Sequence, residues 1–301
     1  MTWQESEPGD DVRALLLAAK ETDGRPEIEA GRPLPREFRG GLHLLARDTA
    51  ADENADGSTD AGGREGRLVG YAHLDTGGDA FGNQVAEAIV HPAHRRHGHG
   101  ARLVAEVLAK ASPKLRIWSH GDHPAAARIA ERYHLARVRE LLKMRLDRRT
   151  DLPEPVWPDG VAVRTFIPGQ DERELVAVNG RAFDWHPEQS QLTVADVEAT
   201  ERESWFDPAG FFLATSNEKI VGFHWTKTHP GDIGEVYVVG VDPRAQGGGL
   251  GRALTLAGLH HLRDKGLGDT ILYVESDNAP AVAVYRRLGF TVAEKDVAYQ
   301  R

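Results

Sequence analysis

The chain has 301 residues, 40% of them hydrophobic, with 37 Lys and Arg against 46 Asp and Glu, a formal net charge of −9, and 0 cysteines. That length and apolar content suffice for two cores of ordinary domain size. The lack of cysteine excludes disulfides, thiolate metal sites and a covalent acyl-cysteine intermediate. The negative charge argues against nucleic acid as a partner, no apolar run reaches the length of a membrane span, and the acidic opening MTWQESEPGDD is unlike a signal peptide; we expect a cytoplasmic monomer with no membrane partner.

Residues 11–20, DVRALLLAAK, carry apolar positions at helical spacing and open the first domain. The turn-rich RPLPREFRGG leads to a strand over 42–46. Residues 48–66 are acidic, small and glycine-rich, so they cannot offset their ordering entropy by burial and read as a mobile hairpin loop. Strands are expected over 67–74 and 83–90, then a glycine-rich loop, a helix over 101–111 with Leu103, Val104, Val107 and Leu108 inward, a strand over 115–119 and a helix over 124–133. DRRTDLPEPVWPDG, residues 147–160, has three prolines and little apolar periodicity, and reads as a linker. The second half repeats the plan, with a strand over 161–166, a helix over 171–183, a hairpin from 211–214 and 220–226, and a central strand over 232–241. A helix over 250–265 and a strand over 270–275 follow, then a helix that Asn278 caps, Pro280 opens and Gly289 ends. The order implies an α/β fold with mixed sheets in two tandem domains, 1–146 and 161–301, joined by 147–160.

The stretch EVYVVGVDPRAQGGGLGR, Glu235 to Arg252, organises the second half. Gly240, inside an otherwise branched and aromatic strand, marks a bulge or a place where a ligand approaches the backbone. Gly247, Gly248, Gly249 and Gly251 present bare amides at a helix N-terminus, which favours a phosphate. The stretch also occurs twice. VHPAHRRHGHG, from Val90, repeats VDPRAQGGGLG, from Val241: Pro92 matches Pro243, Arg95 matches Gln246, Gly98 matches Gly249 and Gly100 matches Gly251, all at one offset, 243 − 92 = 151. An offset near half the chain length argues for duplication of a whole domain. The histidines at 91, 94, 97 and 99 overlay the first phosphate loop with no acidic or cysteine ligand beside them, so we read a basic rim and no metal site. Arginines 95, 96 and 102 in one half, and 244 and 252 in the other, would meet an anionic ligand.

The spacing Gln246-x-x-Gly249-x-Gly251, directly after a strand and before an amphipathic helix, resembles the acyl-CoA signature of the GNAT acetyltransferase superfamily. It is neither a dinucleotide fingerprint nor a P-loop. The resemblance implies acetyl-CoA as cosubstrate, a central strand that splays from its neighbour, and direct acetyl transfer to an amine. Val239, Gly240 and Val241 would pair with the pantetheine arm, with a freed amide near Val239 facing the thioester oxygen. Gln246, Gly247, Gly248, Gly249, Leu250, Gly251 and Arg252 would hold the pyrophosphate. Asn278, Ala279, Pro280, Ala281, Val282 and Ala283 would lie alongside the cofactor. In the first half the corresponding residues are Ala88, Ile89 and Val90 on the strand and Arg95, Arg96, His97, Gly98, His99 and Gly100 on the loop. Glu235 is the candidate base and Tyr285 the candidate donor to the leaving sulfur. By residue type alone, Glu235 reads first as a solvated strand position and Tyr285 first as an ordinary packing residue. Subtracting 151 from Glu235 gives Gln84, and an offset of 155 puts Ala130 opposite Tyr285, so the first domain is expected to be catalytically degenerate yet able to hold acetyl-CoA.

In the second half, NGRAFDWHPEQS, GFHWTKTH, LGRALTLAGLHHL and LYVESDNAPAVAVYRRLGF are similar to the tandem acetyltransferases of actinobacterial thiol metabolism. HPEQ and HWTK are not general features of the superfamily, which makes the resemblance specific. It implies acetylation of the cysteinyl amine of cysteinyl-glucosaminyl-inositol, with Glu188, Lys227, Glu235, Tyr273 and, from the first domain, Glu37 contacting the acceptor. Carboxylates attract a cationic amine, and Lys and Tyr hydrogen-bond sugar and inositol hydroxyls. A tandem acetyltransferase for an aminoglycoside or a protein N-terminus, and an acetyl-CoA sensor without catalysis, are the alternatives.

Overall fold

Strand-forming runs alternate with amphipathic helices, and the structure, a computed structural model, places them in two compact units: Met1–Glu140 with Lys295–Arg301, and Leu141–Glu294. It describes residues 1–5, 8–24, 28, 34, 38–48 and 66–301; Glu37 and residues 49–65 of the expected hairpin loop lie outside the described residues.

The first unit contains β1 (Thr2–Gln4), α1 (Asp10–Asp23), β2 (Leu42–Asp48), β3 (Arg67–Asp75), β4 (Gln84–Val90), α2 (His99–Lys110), β5 (Leu115–Ser119) and α3 (Pro124–Arg132). The strands lie in the order β1-β2-β3-β4-β5, and only β4 and β5 are parallel. Beyond β5 comes the end of β12 (Thr291–Gln300), antiparallel to it from Val297↔Ser119 to Gln300↔Arg116. Alternate residues of β2 serve the two faces, as the pleat requires. Leu44 packs with Leu103, Val104 and Val107 of α2, whereas Leu45 packs with Val12, Leu15 and Leu16 of α1.

The second unit holds the end of β6 (Ala136–Leu146), then β7 (Ala162–Thr165), α4 (Glu172–Ala182), α5 (Val194–Glu201), β8 (Phe211–Ser216), β9 (Lys219–His229), β10 (Ile233–Val241), α6 (Leu250–Asp264), β11 (Thr270–Glu275) and α7 (Ala279–Arg287). Its strand order is β6-β11-β10-β9-β8-β7, with β10 and β11 parallel. Leu141 to Leu146 pair antiparallel with β11.

These bounds differ from the expected domains in two ways, both with a physical cause. Parallel pairing leaves one edge of β5 and one edge of β11 in need of a partner, and each takes a strand from the other half of the sequence: 295–301 joins the first unit, 141–146 the second. The proline-rich segment 147–160 is not a free linker but part of the second unit. Leu152 packs on the core around Leu146 and Leu259, Arg263 donates to the Thr150 carbonyl at 2.6 Å, and His260 lies 3.1 Å from the Pro153 carbonyl. Thr193 and Asp196 form a reciprocal capping box that starts α5, a helix not anticipated from periodicity.

The bulge in the central strand is at Tyr237, not at Gly240. Pairing with β9 runs Val236↔Thr226 and then Val238↔Trp225, so Tyr237 is the extra residue. Val236 and Val239 therefore share one core with Leu256, Leu259, Leu272 and Val282, although three apart residues of a regular strand face opposite ways. Gly240 has a different reason to be glycine: a Cβ there would stand 2.5 Å from the Phe223 ring.

Candidate active site

Pairing between β10 and β11 stops at Val236↔Leu272. Beyond it the two parallel strands part, and β10 continues through the bulge to Val241 while still paired to β9. The edge of residues 238–241 that turns away from β9 is thus open to a ligand. At its end Asp242 caps a turn by accepting from the Arg244 amide at 3.0 Å, Gln246 Nε2 donates back to the Val241 carbonyl at 3.3 Å, and Gly247 and Gly249 take positive φ angles of 91° and 81°. Gly249 is the N-cap of α6, with no side chain covering the first-turn amides. Across the gap, Asn278 caps α7 by accepting from the Ala281 amide at 3.3 Å. Val282 and Tyr285 of α7 pack on the same core as Val236 and Val239. An anion-binding helix terminus, an open strand edge and a flanking helix converge here.

Glu235 precedes the bulge and is 5% exposed. Its Oε2 lies 2.5 Å from Nε2 of His229, on the neighbouring strand. Lys227, directly opposite Glu235 in the ladder, instead sets its ammonium 5.1 Å from the Trp205 ring centre and 5.2 Å from that of Tyr237. The two indoles and the bulged tyrosine pack together, with Trp225–Tyr237 at 5.6 Å and Trp205–Tyr237 at 5.2 Å. Burial pushes the Tyr285 phenol up to about 12, so it is a proton donor throughout the neutral range.

The first unit reproduces the loop in detail. Arg95 Nε donates to the Val90 carbonyl at 3.2 Å, His91 accepts from the Ala93 amide, Arg96 has φ 70° where the second unit has Gly247, and Gly98 caps α2 at φ 82°. A cleft of about 730 Å³ opens there, lined by Ala88, Ile89, Val90, Arg95, Arg96, Gly98, His99 and Gly100, and also by His120 and Ala130. His97 is not among its lining residues. What the first unit does not reproduce is the bulge, because β3 and β4 pair without a shift from Gly70↔Val90 to Asp75↔Val85. Aligned on the parallel pairs, Glu235↔Ile271 corresponds to Val85↔Arg116, so the counterpart of Glu235 is Val85 rather than Gln84. α3 and α7 begin and end at the 155 offset, which keeps Ala130 opposite Tyr285.

A family model described as acetyltransferase (GNAT) family matches residues 31–134 and again 180–290. The chain belongs to the GNAT family of acetyltransferases. It is 61% identical over 300 residues to a mycothiol acetyltransferase of Saccharomonospora viridis, covering 96% of this chain and 94% of the relative, and 56% identical to that of Amycolatopsis mediterranei, covering 97% and 95%. A GCN5-related N-acetyltransferase from Sphaerobacter thermophilus has the same fold, with a TM-score of 0.68 at 22% identity over 99% of this chain and 94% of that one. A tandem GNAT protein from the clavulanic acid pathway gives 0.64 at 20% identity, over 96% and 93%. GNAT acetyltransferases use acetyl-CoA, and the bare amides of α6 and the open edge of β10 fit such a ligand.

Seen within a GNAT domain, the two distinctive motifs are mostly packing. In HPEQ, His186 Nδ1 accepts from the Gln189 amide at 3.1 Å, and Gln189 exchanges hydrogen bonds of 2.8 and 2.9 Å with the fully buried Asn179. Glu188 is the outward member. In HWTK, His224 is fully buried against Gly258 of α6, where a Cβ would stand 2.0 Å from its ring; it bonds the Leu254 carbonyl at 2.7 Å, and burial pushes its pKa down to about 4. Thr226 donates to the Gly210 carbonyl at 2.8 Å, which leaves Lys227 facing outward. Tyr273 lies on β11 with the Lys143 ammonium 5.8 Å from its ring centre.

Several cations of the expected basic rims are already engaged. Arg244 and Arg181 both bond Asp242, whose carboxyl they hold well below the usual carboxylate range, and Arg95 grips Asp23 with both terminal nitrogens. His91 is held below the usual imidazole range by burial and then by His94, and His99 by burial and then by Arg102, so both favour the neutral form. Among the described residues no group of three or more His, Asp or Glu could hold a metal ion, and no helix is long and apolar enough to cross a membrane. His229, Trp205 and Tyr237 are the residues that sequence reasoning missed. A histidine two positions after Lys227 was the available signal for the first, since that spacing returns to the same strand face.

Proposed function

We propose that the chain transfers the acetyl group of acetyl-CoA to the cysteinyl amine of cysteinyl-glucosaminyl-inositol, giving mycothiol, by direct attack without an acyl-enzyme. The observation that carries this reading is the buried Glu235 carboxylate just before the bulge, opposite Lys227 in the β9 ladder and bonded to His229. Near full-length similarity to mycothiol acetyltransferases supports the choice of acceptor.

An α-amine of pKa about 7.7 to 8.0 is largely protonated at neutral pH and must lose a proton before it attacks. Glu235 takes it, directly or through one water. The amide edge of β10 beyond Val236 stabilises the charge that gathers on the thioester oxygen as the carbon–nitrogen bond forms. Tyr285 offers its hydroxyl to the sulfur as the carbon–sulfur bond breaks. Glu188, Lys227 and Tyr273 supply polar contacts to the sugar and inositol hydroxyls. The first unit holds acetyl-CoA in its cleft without turning it over, because Val85 and Ala130 stand where base and donor would be and its central strand carries no bulge.

The test is a rate assay of purified protein with acetyl-CoA against a panel of amines, the cysteinyl pseudodisaccharide included. That acceptor is expected to give the highest kcat/KM. Glu235→Gln is expected to lower kcat by about 10² to 10⁴ with acetyl-CoA affinity unchanged, since it removes the base and leaves the phosphate loop intact. Parental turnover in Glu235→Gln sinks the assignment of the base; preference for another amine sinks the acceptor.

A further inference from the structure

We infer that His229 is a positioning residue for the base, an inference that rests on the reading of Glu235 above. A carboxylate 5% exposed needs a partner for its charge. Two N–H-bearing side chains on β9 are within one ladder step of it: Lys227, directly opposite, and His229, paired to Ile233 on the same strand face. The structure selects the imidazole. Nε2 of His229 meets Oε2 of Glu235 at 2.5 Å, while the Lys227 ammonium is turned onto Trp205 and Tyr237.

The choice matters for chemistry. A permanently charged ammonium against the carboxylate would favour its ionised form strongly and weaken it as a base. An imidazole Nε2–H donates to the carboxylate in the neutral as well as the charged ring, so it fixes the carboxylate rotamer at a smaller cost in basicity. With Oε2 held, Oε1 is the oxygen presented to the acceptor nitrogen or to a bridging water. The charged groups along this hairpin are Lys219 and Lys227 on β9, Asp232 in its turn and Glu235 on β10, and of these Glu235 is the one His229 bonds.

The experiment compares kcat, and KM for acetyl-CoA, in the full-length parent, His229→Leu, His229→Gln and Glu235→Gln with the cysteinyl pseudodisaccharide as acceptor. His229→Leu is expected to lower kcat about tenfold, because the carboxylate loses the donor that fixes its rotamer. KM for acetyl-CoA stays at the parental value. His229→Gln, which restores an N–H donor, recovers most of the rate. A His229→Leu enzyme with the parental rate, or a His229→Gln enzyme no better than His229→Leu, overturns the role of His229 while a disabled Glu235→Gln leaves the base in place. Parental turnover in Glu235→Gln overturns both. Should His229→Leu fail to fold, His229→Ala with added imidazole replaces it; recovery of kcat is expected, and none overturns the proposal.

Discussion

A buried phenol held near 12 is a generous hydrogen-bond donor but a reluctant acid. The thiolate of the departing thiol, of pKa about 8.5, is a weaker base than the conjugate phenolate of Tyr285 by more than three pKa units. Complete proton transfer is uphill, so Tyr285 is expected to steady the developing sulfur charge and leave final protonation to solvent. Tyr285→Phe should lower kcat by roughly tenfold, with the shape of the pH profile unchanged up to pH 9 or so. A kcat profile in which the alkaline limb disappears would identify it as a full acid instead. At this scale legibility depended on motif chemistry. Glu188 and Lys227 were expected to contact the acceptor because each is embedded in a string whose other members pack, whereas His229, the last residue of GFHWTKTH, carried no expected role and became visible only when the hairpin brought it to Glu235.

Elements defined by local periodicity were legible almost to the residue: α6, β11 and the cap of α7 fall where glycines, branched residues and Asn278 put them. Elements defined by distant partners were not. β12 and the end of β6 complete sheets whose other strands are far away in sequence, and a bulge declares itself only through the register of its neighbour, which is why Gly240 suggested it and Tyr237 carries it. A charge cluster secures one of these distant pairings. His120, after β5, lies 2.9 Å from Glu87 on β4 and 3.1 Å from Asp296, whose other oxygen accepts from the Gly121 amide at 3.0 Å. Burial alone would push this imidazole down, but the two carboxylates outweigh it and hold the pKa up at about 10. Since unfolded histidine titrates near 6.5, the stabilisation is complete below about pH 6.5 and is lost as pH rises through about 10. The melting temperature of the parent should therefore fall more steeply from pH 7 to 10 than that of His120→Gln, which starts lower. Parallel curves in thermal unfolding would refute this.

Duplication was the most legible property of the molecule, because the 151 offset that pairs Pro92 with Pro243 also pairs Arg95 with Gln246 in their bonds to Val90 and Val241. What the offset hid was the extra residue at the bulge, which shifts the true counterpart of the base by one. If both loops hold acetyl-CoA, titration calorimetry of the parent should report two sites per chain. Arg96→Glu should report one, with the acetylation rate retained. Arg96 is the better position to change than Gly98: its side chain already stands at φ 70°, so the substitution alters charge without imposing new backbone strain, whereas any side chain at Gly98, φ 82°, would. One site in the parent would show that the first unit does not bind acetyl-CoA, and loss of rate in a folded Arg96→Glu would show that it is not a bystander.

The strand that closes the first unit also sets a timetable. Residues 1–140 leave the ribosome long before residues 295–301 exist, and at about 5 to 20 residues per second the delay is roughly 8 to 30 s. Throughout that interval β5 waits with a bare edge, and Glu87 and His120 wait for Asp296. The half made first is thus the half finished last, and a nonsense codon near position 295 would strike hardest at a unit whose other residues were all translated correctly.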